Sequence, residues 1–245
     1  MDMIDCDEYR DDIYRIWRSK EKNRAIYKGR SIHLNVRERE IEDMACVTSD
    51  LKISADVLHL AIYLFDYFTD KNEDEEESTY DLCALTSIAI AAKLEERDPS
   101  ILKFSDLTNF TNFYHLMNEF NEMEQRMIRF FGWNLLMPTL LTFLRFFETY
   151  ALVESEICDN SYAIKKLDDY NTLKMKISQT IQDYSNIVIK DHRFNEFVPS
   201  CLAAACIANT RRIYSLNPIW PSHLENLTGY TYEDLQACLL FIEQL

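Results

Sequence analysis

Residues 82–99 read LCALTSIAIAAKLEERDP. From Leu82 to Leu94, Lys93 apart, the side chains are apolar or small all the way round a helix, the pattern of an element enclosed by other helices. After the lone charge of Lys93, the residues Glu95, Glu96 and Arg97 lead to Pro99, which cannot continue a helix. A buried helix that ends on a single lysine asks for a partner. Lys93 is therefore read as marking a surface for another protein.

Upstream of this helix lies ADVLHLAIYLFDYFTD, residues 55–70. Its apolar positions Val57, Leu58, Ala61, Leu64, Phe65 and Phe68 follow the spacing of a core helix, with His59 inside it as a core residue. KNEDEEES (71–78), between the two helices, reads as a solvated acidic loop. Downstream, Met117, Phe120, Glu124, Met127, Ile128 and Phe131 fall on one helical stripe. Glu124 interrupts a face otherwise made for burial, and a carboxylate in such a place is costly without a cation.

The first half is thus expected to hold helices over about 35–50, 54–70, 80–96, 104–110 and 115–131. DEYRDDIYRIWRSK (7–20) precedes them as a short amphipathic helix, with Tyr9, Ile13, Ile16 and Trp17 on one side and Asp7 as its N-cap. It is too short to carry a core and must pack on the rest or on a partner. A connector turning at Gly29 follows it, and GWNLLMPT (132–139) closes this half. TLLTFLRFFETYAL starts the second half, with further helices expected over about 161–168, 170–190, 195–214 and 231–244. PSCLAAACIANTRRIY (199–214) is similar in character to the 82–99 helix, which suggests a repeat of about 100 residues. NPIWPS (217–222) reads as a rigid turn, and Thr231 as the cap of the last helix after Gly229.

Composition narrows the function classes. The chain has 245 residues, 47% of them hydrophobic and 13% aromatic, enough for a large core. Three Gly and five Pro leave little material for hairpin turns, which favours helices. The net charge of −15 repels phosphate backbones, so no nucleic-acid partner is expected. No long uninterrupted apolar stretch suits a membrane span, and the acidic opening MDMIDCDEYRDD is expected to be neither a signal nor a transit peptide. Seven Cys without a CxxC pair read as reduced thiols of a cytosolic or nuclear protein, mostly acting as small buried hydrophobes. Cys201 and Cys206 are poorly spaced for a shared metal. A phosphate-cradling glycine loop, HExxH, GxSxG and an evident acid–base pair are all missing, so no catalytic residue, metal or cofactor is expected.

Lys93 on an alanine-rich helix, with Glu124 on the next long one, resembles the signature of the cyclin box, the five-helix fold of regulatory subunits of cyclin-dependent kinases. All five signature positions have counterparts: Arg37 and Asp66 (in LFDYF) match the family's buried structural ion pair, Leu82 its core leucine, and Lys93 with Glu124 its kinase-facing pair. YRDDIYRIW resembles the short helix preceding the box, and FVPSCLAAACIA with WPSHLENLTGYTYEDLQACL fits a C-terminal cyclin fold. The resemblance runs from about residue 9 to the end and implies an all-α chain of two tandem cyclin-box folds behind a short N-terminal helix. Residues 1–34 would be the helix and connector, 35–136 the N-terminal box and 137–245 the C-terminal fold.

The function implied is that of a non-catalytic subunit, nuclear and cytoplasmic, which binds and activates a cell-cycle cyclin-dependent kinase by positioning its regulatory helix and activation loop. Lys93 and Glu124 would bond to backbone groups at the start of that helix. Ile90, Leu94, Ile128 and Leu135 would form an apolar pocket with Trp133 at its edge, while Tyr9, Ile13 and Ile16 brace the kinase. Other readings stay open: Lys93 as a helix-end cation paired with Glu96, Glu124 in an internal salt bridge, or a cyclin-fold scaffold that activates no kinase. Many members of the family carry a run like Met-Arg-Ala-Ile-Leu, then a tryptophan, forming a groove for Arg-x-Leu peptides. Here Val36, Arg37, Glu38, Arg39 and Glu40 stand in that run, Asp43 at the tryptophan and Cys46 at the groove's acidic anchor. Charges in place of apolar groups remove the burial that would hold a leucine, so such docking is not expected.

Overall fold

Ten α-helices and one 3-10 turn, with a helical fragment at 106–107, make up most of the regular structure of the described residues, and no strand occurs among them. The structure is a computed structural model that describes residues 9–24, 26–29, 34–72, 77–97, 102, 106–107, 117–154, 156 and 167–244. The chain divides into two compact units, Met1–Thr139 and Leu140–Leu245. No helix among the described residues is long and apolar enough to cross a membrane.

Unit 1 holds α1 (Arg10–Lys22), α2 (Leu34–Asp50), α3 (Ala55–Thr69), α4 (Glu77–Glu95) and α5 (Met117–Phe130). Its centre is the contact of α3 with α4; α2 and α5 pack against this pair. On α4 every residue from Leu82 to Ala92 is buried, as its all-round apolar sequence requires. Of its polar residues, Ser87 is satisfied within the helix, its Oγ donating to the Cys83 carbonyl at 2.8 Å. The helix expected over 104–110 lies outside the described residues except for 106–107, which are helical, with Leu107 buried. Asp7, the expected cap of α1, also lies outside them.

The inward stripe of α2 contains Arg37, Glu40, Ile41, Met44, Val47 and Thr48. Arg37 makes a forked pair with Asp66 of α3, Nε to Oδ1 at 2.6 Å and Nη2 to Oδ2 at 2.7 Å. Both side chains are sealed from water, at 4% and 0% exposure. The fork suits guanidinium geometry and fixes the register of α2 on α3.

The connector behind α1 is held from α3. The Arg24 guanidinium lies 4.5 Å from the ring centre of Tyr63 and 5.2 Å from that of Tyr67. Burial pushes the Tyr63 hydroxyl up to about 12, so the cation meets a neutral ring. The Asp70 carboxylate, just past α3, accepts from the backbone N–H groups of Lys28 (2.7 Å) and Gly29 (3.0 Å). Gly29 has φ +61°, the left-handed conformation that this bend needs.

Unit 2 holds α6 (Leu140–Glu148), α7 (Leu167–Val188), a 3-10 turn (His192–Glu196), α8 (Pro199–Ile213), α9 (Ser222–Thr228) and α10 (Gln236–Ile242). Its core helix is α8, against which α6, α7 and α10 pack. Small residues, Ala203, Ala204, Ala205 and Ala208, let those neighbours come close. Arg211 is fully buried near the end of α8, and its guanidinium makes five bonds. Nε donates to the Ile219 carbonyl (2.9 Å), Nη1 to the Ala151 carbonyl (2.6 Å) and Glu156 (3.1 Å), and Nη2 to Glu156 (2.7 Å) and the Pro218 carbonyl (2.8 Å).

The end of the chain corrects the sequence reading. A continuous helix over 231–244 is not what forms: α10 begins at Gln236, with Leu235 before it. Thr231 instead closes a turn with Asp234, whose carboxylate accepts from the Thr231 N–H and hydroxyl, both at 2.8 Å. That turn satisfies the groups a cap would have offered to the helix. Residues 192–196 form a 3-10 turn apart from α8, so the helix expected from 195 starts at Pro199. Residues 161–166, expected to be helical, lie outside the described residues, and 167–168 open α7.

Candidate functional site

α4 leaves the core abruptly. Ala91 and Ala92 are buried, while Lys93, Leu94 and Glu95 are exposed. α5 packs on α4 through Phe120, Met123 and Met127, the Met123 sulfur lying 3.6 Å from the Cys83 thiol. Met117, expected on that buried stripe, is 52% exposed, because it opens the helix before the contact begins. Glu124 sits at the border of the stripe and turns toward Lys93: Nζ to Oε1 is 2.5 Å. The lysine side chain is 54% exposed and the carboxylate 19%.

An ion pair this open adds little to stability, roughly 0–1 kcal/mol. Its chemical content is what it leaves available. A lysine has three N–H donors and a carboxylate about four acceptor positions; their mutual bond uses one of each. Side by side, the two can give a hydrogen bond to a foreign carbonyl and take one from a foreign N–H. Glu96, the other partner considered for Lys93, is engaged elsewhere: it accepts from the Ser54 N–H at the start of α3, at 2.8 Å.

The apolar residues named with this pair separate into two groups. Ile90 and Leu135 are buried in unit 1, as is Leu82, the expected core leucine, and they offer little surface of their own. Ile128 is half-buried. Open to solvent are Leu94 on α4 and, just beyond α5, Trp133 and Leu136. Leu136 was not singled out from the sequence, where its neighbours Leu135 and Met137 make the whole run read as core.

Trp133 is displayed at 80% exposure. The end of α5 is wound by Gly132 and Trp133 at φ +55° and +64°, with the Trp133 N–H donating to the Ile128 carbonyl at 3.2 Å. Such a stop normally folds the apolar side chain after the glycine back onto the last turn. Here the indole stays in water, on a backbone conformation that disfavours a bulky residue.

On α1, Tyr9 and Ile16 are exposed and Ile13 is half-buried. Lys20 Nζ donates to the Leu136 carbonyl at 3.2 Å, tying α1 to the segment that carries Trp133. The apolar side of α1 is therefore only partly covered by its own unit.

α2 presents Glu38, Arg39, Asp43 and Cys46 to solvent, with Val36 half-buried. Glu40 is the exception to the charged surface read from the sequence, at 2% exposure. It lies three residues from Arg37 and four from Met44, on the inward stripe, so helical spacing alone could have placed it inside. Burial raises its pKa, the Arg39 guanidinium (2.8 Å) opposes the rise, and Asp81 adds to it. A group whose folded pKa is raised stabilises the fold below its unfolded pKa and loses that contribution as pH climbs through the folded value. Glu40→Gln is therefore expected to raise the melting temperature at neutral pH, with the gain vanishing below pH ~4. Melting curves across pH check this; an equal gain at all pH values would deny it.

No cluster of three or more His, Cys, Asp or Glu side chains that could hold a metal occurs among the described residues.

Residues 12–136 match the family model described as "Cyclin, N-terminal domain", and residues 138–245 match "Cyclin, C-terminal domain". Cyclin-J of Xenopus laevis is 29% identical over 233 residues, covering 93% of this chain and 59% of that protein. Cyclin-J of Homo sapiens is 28% identical over 235 residues, with 93% and 58% covered. The chain thus spans less than two thirds of the length of these relatives. A viral cyclin from herpesvirus saimiri shares the fold, with a TM-score of 0.67 at 12% identity over 96% of this chain and 95% of that one.

Proposed function

The chain belongs to the cyclin family, and from that premise we propose that it binds a cell-cycle cyclin-dependent protein kinase as a non-catalytic subunit and shifts it toward its active state. The observation that supports this best is the Lys93–Glu124 pair: opposite charges on neighbouring helices, the lysine exposed and the carboxylate half-buried, bonded to each other at 2.5 Å. Such a pair suits the free backbone groups at the first turn of a partner's helix. Leu94, Trp133, Tyr9 and Ile16 offer apolar surface to the same partner. Moving a kinase from about 1% to about 99% active requires ~5.5 kcal/mol of differential binding. A few hot-spot contacts are enough to supply it. The exposed charges of α2 do not suit Arg-x-Leu peptides, so substrate choice rests on the kinase or another surface. Action in nucleus and cytoplasm belongs to the same reading.

Purified chain mixed with a panel of cyclin-dependent kinases tests it, with phosphorylation of a histone-type substrate as the readout. Activation of at least one kinase is expected; binding without activation would leave a scaffold, and no binding would end the proposal. Lys93→Ala and Glu124→Ala are each expected to weaken the complex by ~2–5 kcal/mol while leaving the melting curve in place. Normal binding by both variants would remove the pair from the interface.

Trp133→Gly separates binding from folding. Glycine takes a positive φ without strain, so the variant should be at least as stable as the parent. Loss of an exposed indole from the interface should still weaken kinase binding by about 2 kcal/mol or more. Calorimetric melting and titration on the same samples check both halves; unchanged affinity would exclude Trp133.

A further inference from the structure

Unit 2 carries an open groove between α6 and α7, about 560 Å³ in volume, within the range of ligand-binding clefts. Its lining follows from helical spacing. Arg145 and Glu148 stand three residues apart on α6, while Lys174, Ser178 and Gln182 recur at every fourth residue along α7. Leu152 and Ile177, both buried, belong to the same lining, and Met175 is 73% exposed beside Lys174.

Two cations, Arg145 and Lys174, thus line the groove from different helices, and both are exposed. One carboxylate opposes them, and it is already engaged: the Ser178 hydroxyl donates to Glu148, joining α7 to α6. Lys174 Nζ lies 5.9 Å from the ring centre of Tyr170, a contact that does not neutralise the ammonium. In a chain of net charge −15, a groove with two cations against one acid is suited to an anionic partner.

We propose that this groove docks a segment of a partner protein that carries a phosphorylated serine or threonine. A phosphate group has a charge of about −2 and three acceptor oxygens, so it answers both cations at once, which a single carboxylate does not. Arg145 takes two of the oxygens with its planar fork, and Lys174 meets the group as a point charge from α7. Gln182 adds an amide to the same lining, and the flexible Met175 gives apolar contact to a residue beside the phosphate. The partner is therefore accepted only after another enzyme has phosphorylated it. None of these residues belongs to the Lys93–Glu124 surface, so the groove works whether or not the chain engages a kinase there.

The test uses the full chain and fluorescein-labelled peptide mixtures in which one fixed residue is flanked by varied positions. With phosphoserine fixed, anisotropy should report binding; with serine or glutamate fixed, affinity should fall about tenfold or more. Arg145→Gln and Lys174→Gln should each weaken binding of the phosphoserine mixture about tenfold or more, the loss of a charge-assisted bond. Both should melt like the parent, since the two residues are exposed. Lys176→Gln removes the same charge from an exposed residue of α7 outside the groove and should bind as the parent does. An equal loss in Lys176→Gln and Lys174→Gln would reduce the attraction to net charge. Inorganic phosphate bound as tightly as the peptides would leave an ion site with no docked segment. Either result, or equal binding of the phosphoserine and serine mixtures, would overturn the proposal.

Discussion

Arg37→Ala is expected to lower the unfolding free energy of unit 1 by about 3–5 kcal/mol. The loss comes from Asp66, which stands at 0% exposure in the centre of α3 and would be left as a buried carboxylate without its guanidinium. The same logic makes the double variant the decisive one. Arg37→Met with Asp66→Leu removes both charges and replaces them with side chains that need no partner, and most of the lost stability should return. Denaturant unfolding of the single and double variants measures this directly. If the double variant is no better than the single one, the fork contributes in some way other than mutual neutralisation.

Arg211→Ala is expected to cost at least as much in unit 2, about 3–5 kcal/mol from the broken pair with Glu156. Three carbonyls, those of Ala151, Pro218 and Ile219, lose their donors as well; each that is left unsatisfied adds about 1–3 kcal/mol. Arg211→Lys separates charge from geometry. An ammonium keeps the positive charge but has three donors on one atom, which cannot reach acceptors spread around a planar fork. The lysine variant should therefore recover only a small part of the loss. A lysine variant as stable as the parent would mean that charge alone matters at this position.

The two guanidinium sites differ sharply in how far the sequence revealed them. The resemblance identifies Arg37 and Asp66, whose separation carries no local signal; nothing in the sequence identifies Arg211. In ANTRRIY it reads as a cation complementing the end of a helix, which its neighbour Arg212 does: it is exposed and pairs with Glu243. Three of the partners of Arg211 are backbone carbonyls, those of residues 151, 218 and 219, which no sequence announces because a carbonyl is the same in every residue; the fourth, Glu156, is one carboxylate among many and 55 residues away. The strongly apolar helices α3 and α4 are legible in the sequence to within a few residues. The start of α10 was not, because a Thr–Asp turn and a helix cap use the same residue types.

At the candidate site, Lys93 and Glu124 could be named from sequence, and the structure brings them together. What burial each apolar neighbour would have was less legible. Ile90 and Leu94 look alike in the sequence but lie on opposite sides of the point where α4 leaves the core. A glycine before Trp133 signals a helix stop; it does not say whether the indole will fold back or stand out.

Asp70 grips the connector by its main chain: the two hydrogens it accepts belong to the peptide groups of Lys28 and Gly29, not to side chains. The bend itself is therefore indifferent to the side chain of residue 28 and asks of residue 29 only that it turn left-handed. The stretch before the bend is held by identity instead, Arg24 lying on two tyrosine rings and Lys20 reaching the Leu136 carbonyl. A first helix borrowed from a relative would have to bring those two cations with it to keep the same course.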